Sequence, residues 1–187
     1  MVAMKHVPLV PTFAATIMLT MTASAAKPKR EGFTLELGLG AAVTTISPDE
    51  GDSQTEFGLA PLSLSLGGFL SPDAALMFRL AGTSYFEDFL GETVQLCNCF
   101  YGGVVQYWPS DAFFLGGGVG IALFDDNPLF SNVDVEGESA FGMTARAGWA
   151  FYASRAYSFA LVYEVFPAFY DSVTVVGQAL NLQYQYF

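Results

Sequence analysis

Glu138-Ser139-Ala140-Phe141-Gly142-Met143-Thr144-Ala145-Arg146-Ala147-Gly148-Trp149-Ala150-Phe151 separates into two unlike lists when alternate residues are taken. The odd positions are Ser139, Phe141, Met143, Ala145, Ala147, Trp149 and Phe151. The even positions are Glu138, Ala140, Gly142, Thr144, Arg146, Gly148 and Ala150. Successive side chains of a β-strand point to opposite faces, so one face carries the bulk and the other carries small groups and one cation. A soluble β-sandwich would present a polar face to water. Here the large apolar list suits lipid, and the small list suits a narrow interior.

The same division recurs along the chain. Phe33, Leu35, Leu37 and Leu39 oppose Thr34, Glu36, Gly38 and Gly40; Phe159, Leu161, Tyr163 and Val165 oppose Ser158, Ala160, Val162 and Glu164. Near the end, Leu180, Leu182, Tyr184 and Tyr186 oppose Gly177, Ala179, Asn181, Gln183 and Gln185. In the glycine-rich run, Phe113, Leu115, Val119 and Ile121 are expected to face lipid, with Gly116, Gly118 and Gly120 inward. Eight such runs are predicted, over 32–46, 55–70, 74–86, 93–108, 112–124, 138–153, 157–170 and 173–187. The breaks between them alternate in kind. Ser71-Pro72-Asp73, Pro109-Ser110-Asp111 and Ser154-Arg155-Ala156 are tight, whereas 47–54, 86–92 and 125–138 are generally longer and rich in acid. Short turns alternating with larger loops are the mark of an all-β, eight-stranded, antiparallel up-and-down transmembrane β-barrel. An interior of that strand number is just wide enough for side chains to fill. Aromatics gather at the tight-turn ends (Tyr107 and Trp108, Trp149 to Tyr152, Tyr157 and Phe159, Tyr184 to Phe187), where an interfacial girdle is expected.

The first residues read differently. Lys5 and His6 precede a mostly apolar Val7–Thr22, and Ala23-Ser24-Ala25 is an A-x-A cleavage signal. Pro8 and Pro11 interrupt the stretch, which falls short of the roughly 20 apolar residues of a spanning helix. Residues 1–25 are therefore expected to be a signal peptide and 26–187 the barrel domain. Beyond the signal, six basic residues face eighteen acidic ones. An acidic chain lacks the basic footprint of a nucleic-acid binder. With 52% hydrophobic residues it is too apolar for disorder.

With these features in place the chain resembles the small eight-stranded outer-membrane β-barrels of Gram-negative bacteria, the OmpA/OmpX-like group and its outer membrane protein β-barrel domain relatives. The resemblance rests on the export signal, the alternating turns and loops, Phe113-Phe114-Leu115-Gly116-Gly117-Gly118-Val119-Gly120 and the terminal Phe187. It implies residence in the outer membrane, contact with its lipids and lipopolysaccharide, and insertion by barrel-assembly machinery. One departure stands out. In that group the final Phe shares a face with an aromatic two residues earlier, and here that position is Gln185. Tyr184 and Tyr186 lie on the other face, so the insertion signal is shifted by one residue.

The chemistry of the mature chain is limited. His6 is the one histidine and leaves with the signal, which removes the usual general base of barrel-borne hydrolases. No G-x-S-x-G elbow, Walker pattern or dinucleotide glycine pattern occurs. No enzyme activity, cofactor or metal is expected. The acidic loops do not match calcium-loop spacing. Cys97 and Cys99, two residues apart on one strand, would form a strained bridge and are too few for a metal, so they read as small strand fillers. Two functional classes remain: a structural or surface-interaction barrel with a filled lumen, and a narrow pore or small apolar-solute channel.

Lone charges inside such a barrel are costly and should be paired. Counting across a three-residue turn at 154–156 sets Arg146 opposite Glu164, Trp149 opposite Leu161 and Phe151 opposite Phe159. Counting about Pro72 sets Arg79 opposite Ser65. An Arg146–Glu164 contact is thus expected at the centre of a polar lumen network, with Arg79 and Glu36 as further members.

Overall fold

The computed structural model describes residues 28–89, 92–126 and 138–187, without the side chains of 87–89, 92–94 and 125–126. The expected signal peptide and most of the 125–138 loop lie outside the described residues. Eight strands form in chain order: β1 (Phe33–Pro48), β2 (Gln54–Ser71), β3 (Ala74–Phe89), β4 (Glu92–Tyr107), β5 (Phe113–Asp126), β6 (Glu138–Ala153), β7 (Tyr157–Phe169) and β8 (Val173–Tyr186). Each pairs antiparallel with its sequence neighbours, and β8 closes on β1 from Leu35↔Tyr186 to Pro48↔Val173. Closure leaves no edge strand, which is the condition for a sheet to exist in lipid. Strands of 13 to 18 residues exceed the ~9–11 needed to cross a bilayer, so the sheet projects beyond it.

The two faces follow the alternation. On β7, Ser158, Ala160, Val162, Glu164, Phe166 and Ala168 are buried, while Phe159 and Tyr163 are exposed. On β5, Phe113, Leu115, Val119 and Ile121 are exposed, and Phe114 and Ala122 are buried. The exposed large apolar residues form a belt around the whole outside, a surface that only lipid would cover.

The regular pattern breaks at bulges. β2 carries one extra residue against β1 between Ser63 and Ala60, where Gly38↔Ser63 gives way to Gly40↔Ala60. Pro61 sits in that interval, consistent with the confinement of strand prolines to bulges. The irregularity shifts the inward parity of β2: Ser63 and Ser65 point inward below it and Ala60 above it. A second bulge falls between Ala150 and Tyr152 of β6. It corrects one expected pair: Tyr152, not Phe151, faces Phe159. Below the bulge Trp149↔Leu161 and Arg146↔Glu164 stand as counted, as does Ser65↔Arg79. The turn therefore absorbs one residue fewer than the three counted, and the bulge restores the register.

Candidate functional site

The lumen is built in layers. Nearest the tight turns, Ala75, Met77, Trp108, Phe114, Ala160 and Val162 form an apolar layer. Phe114 reaches across because Gly148 opposite has no side chain; a Cβ there would lie 2.1 Å from the Phe114 Cζ. Further up comes a layer of charge, and above it a second apolar layer that includes Phe100, Val104 and Phe166.

The charged layer holds all four residues singled out from the sequence. Arg79, Arg146, Glu36 and Glu164 are each at most 3% exposed. Their pairing differs from the expected one. Arg79 Nε donates to Glu164 Oε1 at 2.7 Å, and its Nη2 donates to Glu164 Oε2. Arg146 Nη1 donates to Glu36 Oε2 at 2.8 Å, and its Nη2 donates to Gln183 Oε1. The ion pair expected between Arg146 and Glu164 is not the one formed, although the two are strand neighbours. Adjacent inward side chains both point toward the axis, and a long arginine extends across it. Arg79 on β3 therefore reaches β7 on the opposite wall, and Arg146 on β6 reaches β1.

Neutral donors and acceptors complete the layer. Arg79 Nη1 donates to Ser65 Oγ at 2.7 Å, and Thr144 Oγ1 donates to Glu164 Oε1 at 2.9 Å. Glu36 Oε2 also lies 3.6 Å from Arg79 Nη1, linking the two pairs. The Arg146 guanidinium stands 5.2 Å from the Phe114 ring centroid. Among the described residues Glu36 Oε1, Arg146 Nε and Gln183 Nε2 have no hydrogen-bond partner, and these are groups that ordered lumen water would serve. With two cations and two anions the layer is neutral.

A cap that sequence reasoning missed closes the tight-turn end. Arg30 precedes β1 and is 6% exposed, with its guanidinium 5.0 Å from the Trp108 ring centroid and 5.7 Å from that of Phe187. Arg30 Nη2 donates to Asp111 O at 2.9 Å. Burial lowers the Arg30 pKa, opposed by the charges of Asp111 and Asp73. Gly32, at φ 72°, turns the chain from this cap into β1, and its carbonyl accepts from Phe69 N at 2.9 Å. Trp108 and Phe187 were expected in the interfacial girdle, but both rings are inside. Phe187 shares the inward parity of Gln185, and that parity was the available signal. Arg30 lies outside any alternating run and gave none.

At the loop end, a cavity of about 250 Å³ is lined by Ile46, Tyr85, Leu96, Phe124, Glu138, Tyr170, Val173 and Val175. Tyr170 Oη donates to Asn98 Oδ1 at 3.2 Å at its base. Burial, and then the nearby Glu138 and Cys99, push the Tyr170 phenol well above its ordinary range.

No protein-family model matches the chain, and no curated protein matches it. Solved structures do. Neisserial surface protein A superposes with a TM-score of 0.60 at 13% identity, over 83% of this chain and 96% of that one. The chain has the fold of the small eight-stranded outer-membrane β-barrels. Ail, the attachment invasion locus protein of Yersinia pestis, solved with the heparin analogue sucrose octasulfate, gives 0.51 at 18% identity, over 83% and 99%. Within an outer-membrane barrel the layers acquire a direction: the Arg30 cap lies at the short-turn mouth and the 250 Å³ cavity at the long-loop mouth.

Proposed function

We propose that this chain is a non-enzymatic outer-membrane barrel with a sealed lumen, exported by cleavage near Ala25 and serving a structural or surface-interaction role. The observation that carries the reading is the charged layer spanning β3 to β7 and β6 to β1, closed above and below by apolar side chains and at the short-turn mouth by Arg30 between two rings. Ions crossing such a lumen would have to displace bonded, oppositely charged partners. Purified protein in planar bilayers is expected to give no discrete conductance steps. Regular steps from the unmodified chain would overturn the sealed lumen and favour a narrow pore.

A second reading has one supporting observation, the mostly apolar cavity at the long-loop mouth, which would suit a small apolar solute. Polysulfated ligands of the kind found with Ail are poorly matched to this chain, whose formal net charge is -11. Outer-membrane lipid, lipopolysaccharide and the barrel-assembly machinery are the proposed partners.

The proposal fixes an orientation, with Lys29, Arg30 and the tight turns in the periplasm and the acidic loops outside. In a chain with Cys97 and Cys99 replaced by serine, an impermeant maleimide applied to whole cells should label Asp52→Cys and spare Ser110→Cys. The reverse pattern would invert the orientation.

A further inference from the structure

The Arg30 guanidinium sits in its cap as a ligand sits in a cage. Phe69, Trp108 and Phe187 stand together there, with ring centroids 5.4 Å apart for Phe69 and Trp108 and 6.1 Å for Phe69 and Phe187. Trp108 and Phe187 are buried, and both rings lie within cation–π range of Arg30 Cζ. At the rim, Asp111 offers its carbonyl oxygen at 2.9 Å from Nη2 and a carboxylate oxygen at 3.5 Å from Nη1. Aromatic faces with an acceptor and an anion beside them are what an organic cation requires of a pocket. The cation that fills this one comes from outside the barrel wall. Residues 28–32 precede β1 and belong to no strand. Among the described residues, the backbone bonds that tie them to the barrel run from Lys29 N to Arg155 O and from Phe69 N to Gly32 O. Arg30 Nε has no hydrogen-bond partner among those residues. Gly32 joins this strap to β1 in a left-handed conformation that suits glycine.

We infer that the short-turn mouth is a binding site for a small organic cation, a guanidinium or alkylammonium group, which Arg30 occupies as a tethered plug. Residues 28–31 form the strap that withdraws the plug, and Gly32 is its hinge. Phe69 lies on β2, Trp108 follows β4 and Phe187 follows β8, so the walls of the cage remain when the strap lifts. A free cation competes with Arg30 for the same rings and the same Asp111 oxygens. A group on a short tether acts at millimolar or higher effective concentration. The site is therefore masked while the strap is down and opens when it lifts. The inference concerns the short-turn mouth alone and stands whether or not the charged layer conducts.

The test titrates methylguanidinium chloride into the full mature chain in an uncharged detergent, with sodium chloride as the ionic control. Trp108 fluorescence is the readout, in a Trp149→Phe background that removes the other tryptophan. Arg30→Ala is expected to give a saturable change that sodium does not produce. The chain that keeps Arg30 should need at least about tenfold more methylguanidinium to reach half-saturation, because its own plug competes. Gly32→Val keeps the plug and strains the hinge, since a β-branched residue rarely adopts a φ of 72°. Its half-saturation should fall between those two. Adding Phe187→Leu to Arg30→Ala should weaken binding about tenfold through loss of one cation–π contact. Circular dichroism checks that each variant has folded. A folded Arg30→Ala barrel without a saturable response, an equal response to sodium, or unchanged binding after Phe187→Leu would each overturn the inference. If Arg30→Ala does not fold, the hinge variant decides: half-saturation no lower in Gly32→Val than in the chain with Gly32 overturns it too.

Discussion

Glu164→Gln is expected to destabilise the barrel by roughly 3–5 kcal/mol, the range for stripping one partner from a buried ion pair. Glu164 accepts two hydrogen bonds from Arg79 and one from Thr144. Neutralising it leaves the Arg79 guanidinium buried, with Glu36 at 3.6 Å as its remaining counter-charge. Arg79→Met alone should cost a similar amount, and the double variant should cost clearly less than the sum. The same cycle run on Arg146 and Glu164 should show weaker coupling, since these two interact through space and not through a shared hydrogen bond. Urea unfolding in lipid vesicles gives the four free energies. Additive losses for Arg79 and Glu164, or stronger coupling of Glu164 to Arg146, would mean that the pairing across the lumen is wrong.

The second large effect concerns overfilling. Gly118→Leu is expected to cost about 1–3 kcal/mol, as inserted bulk does in a packed core, whereas Val119→Leu next to it should be nearly neutral. A Cβ at Gly118 would lie 2.2 Å from Gly103 O and 2.7 Å from Val104 Cγ2, while Val119 is 54% exposed on the lipid side. Backbone cannot yield as a flexible side chain can, so the added atoms must push β4 and β5 apart. Equal tolerance of the two substitutions in the same unfolding assay would refute the inward placement of Gly118.

Strand number, order and facing were legible because each rests on one local signal, the two-residue alternation of large and small side chains. The membership of the charged layer was legible too: Glu36, Arg146 and Glu164 each fall on the small list of their strand, and counting about Pro72 set Arg79 opposite Ser65. Their ionic partners were not, although the Arg79–Ser65 bond joins a pair found by counting. Counting across a turn finds what lies beside a residue on the next strand, and the arginine ion pairs are made across the lumen. Phe151 illustrates a second gap, because a bulge moves a register by one without any change in alternation until the residue itself. Trp108 and Phe187 illustrate a third. Aromatic rings at a strand end satisfy either an interface or a lumen mouth, and Arg30, which sits between them, is outside the periodic sequence altogether.

The barrel is electrically lopsided along its axis. The described residues of the long-loop end, 46–58, 86–89, 92–95, 123–126, 138–141 and 169–174, contain acids and no Lys or Arg. The lumen contributes two charges of each sign and cancels, and Lys29, Arg30 and Arg155 fall toward the other end. Two copies standing side by side in one leaflet therefore present like charge to each other at the same height. That repulsion acts over about a Debye length, ~8–10 Å at ordinary salt. Raising the ionic strength therefore weakens the repulsion between neighbouring copies, and lowering it extends the distance over which their loop ends keep one another apart.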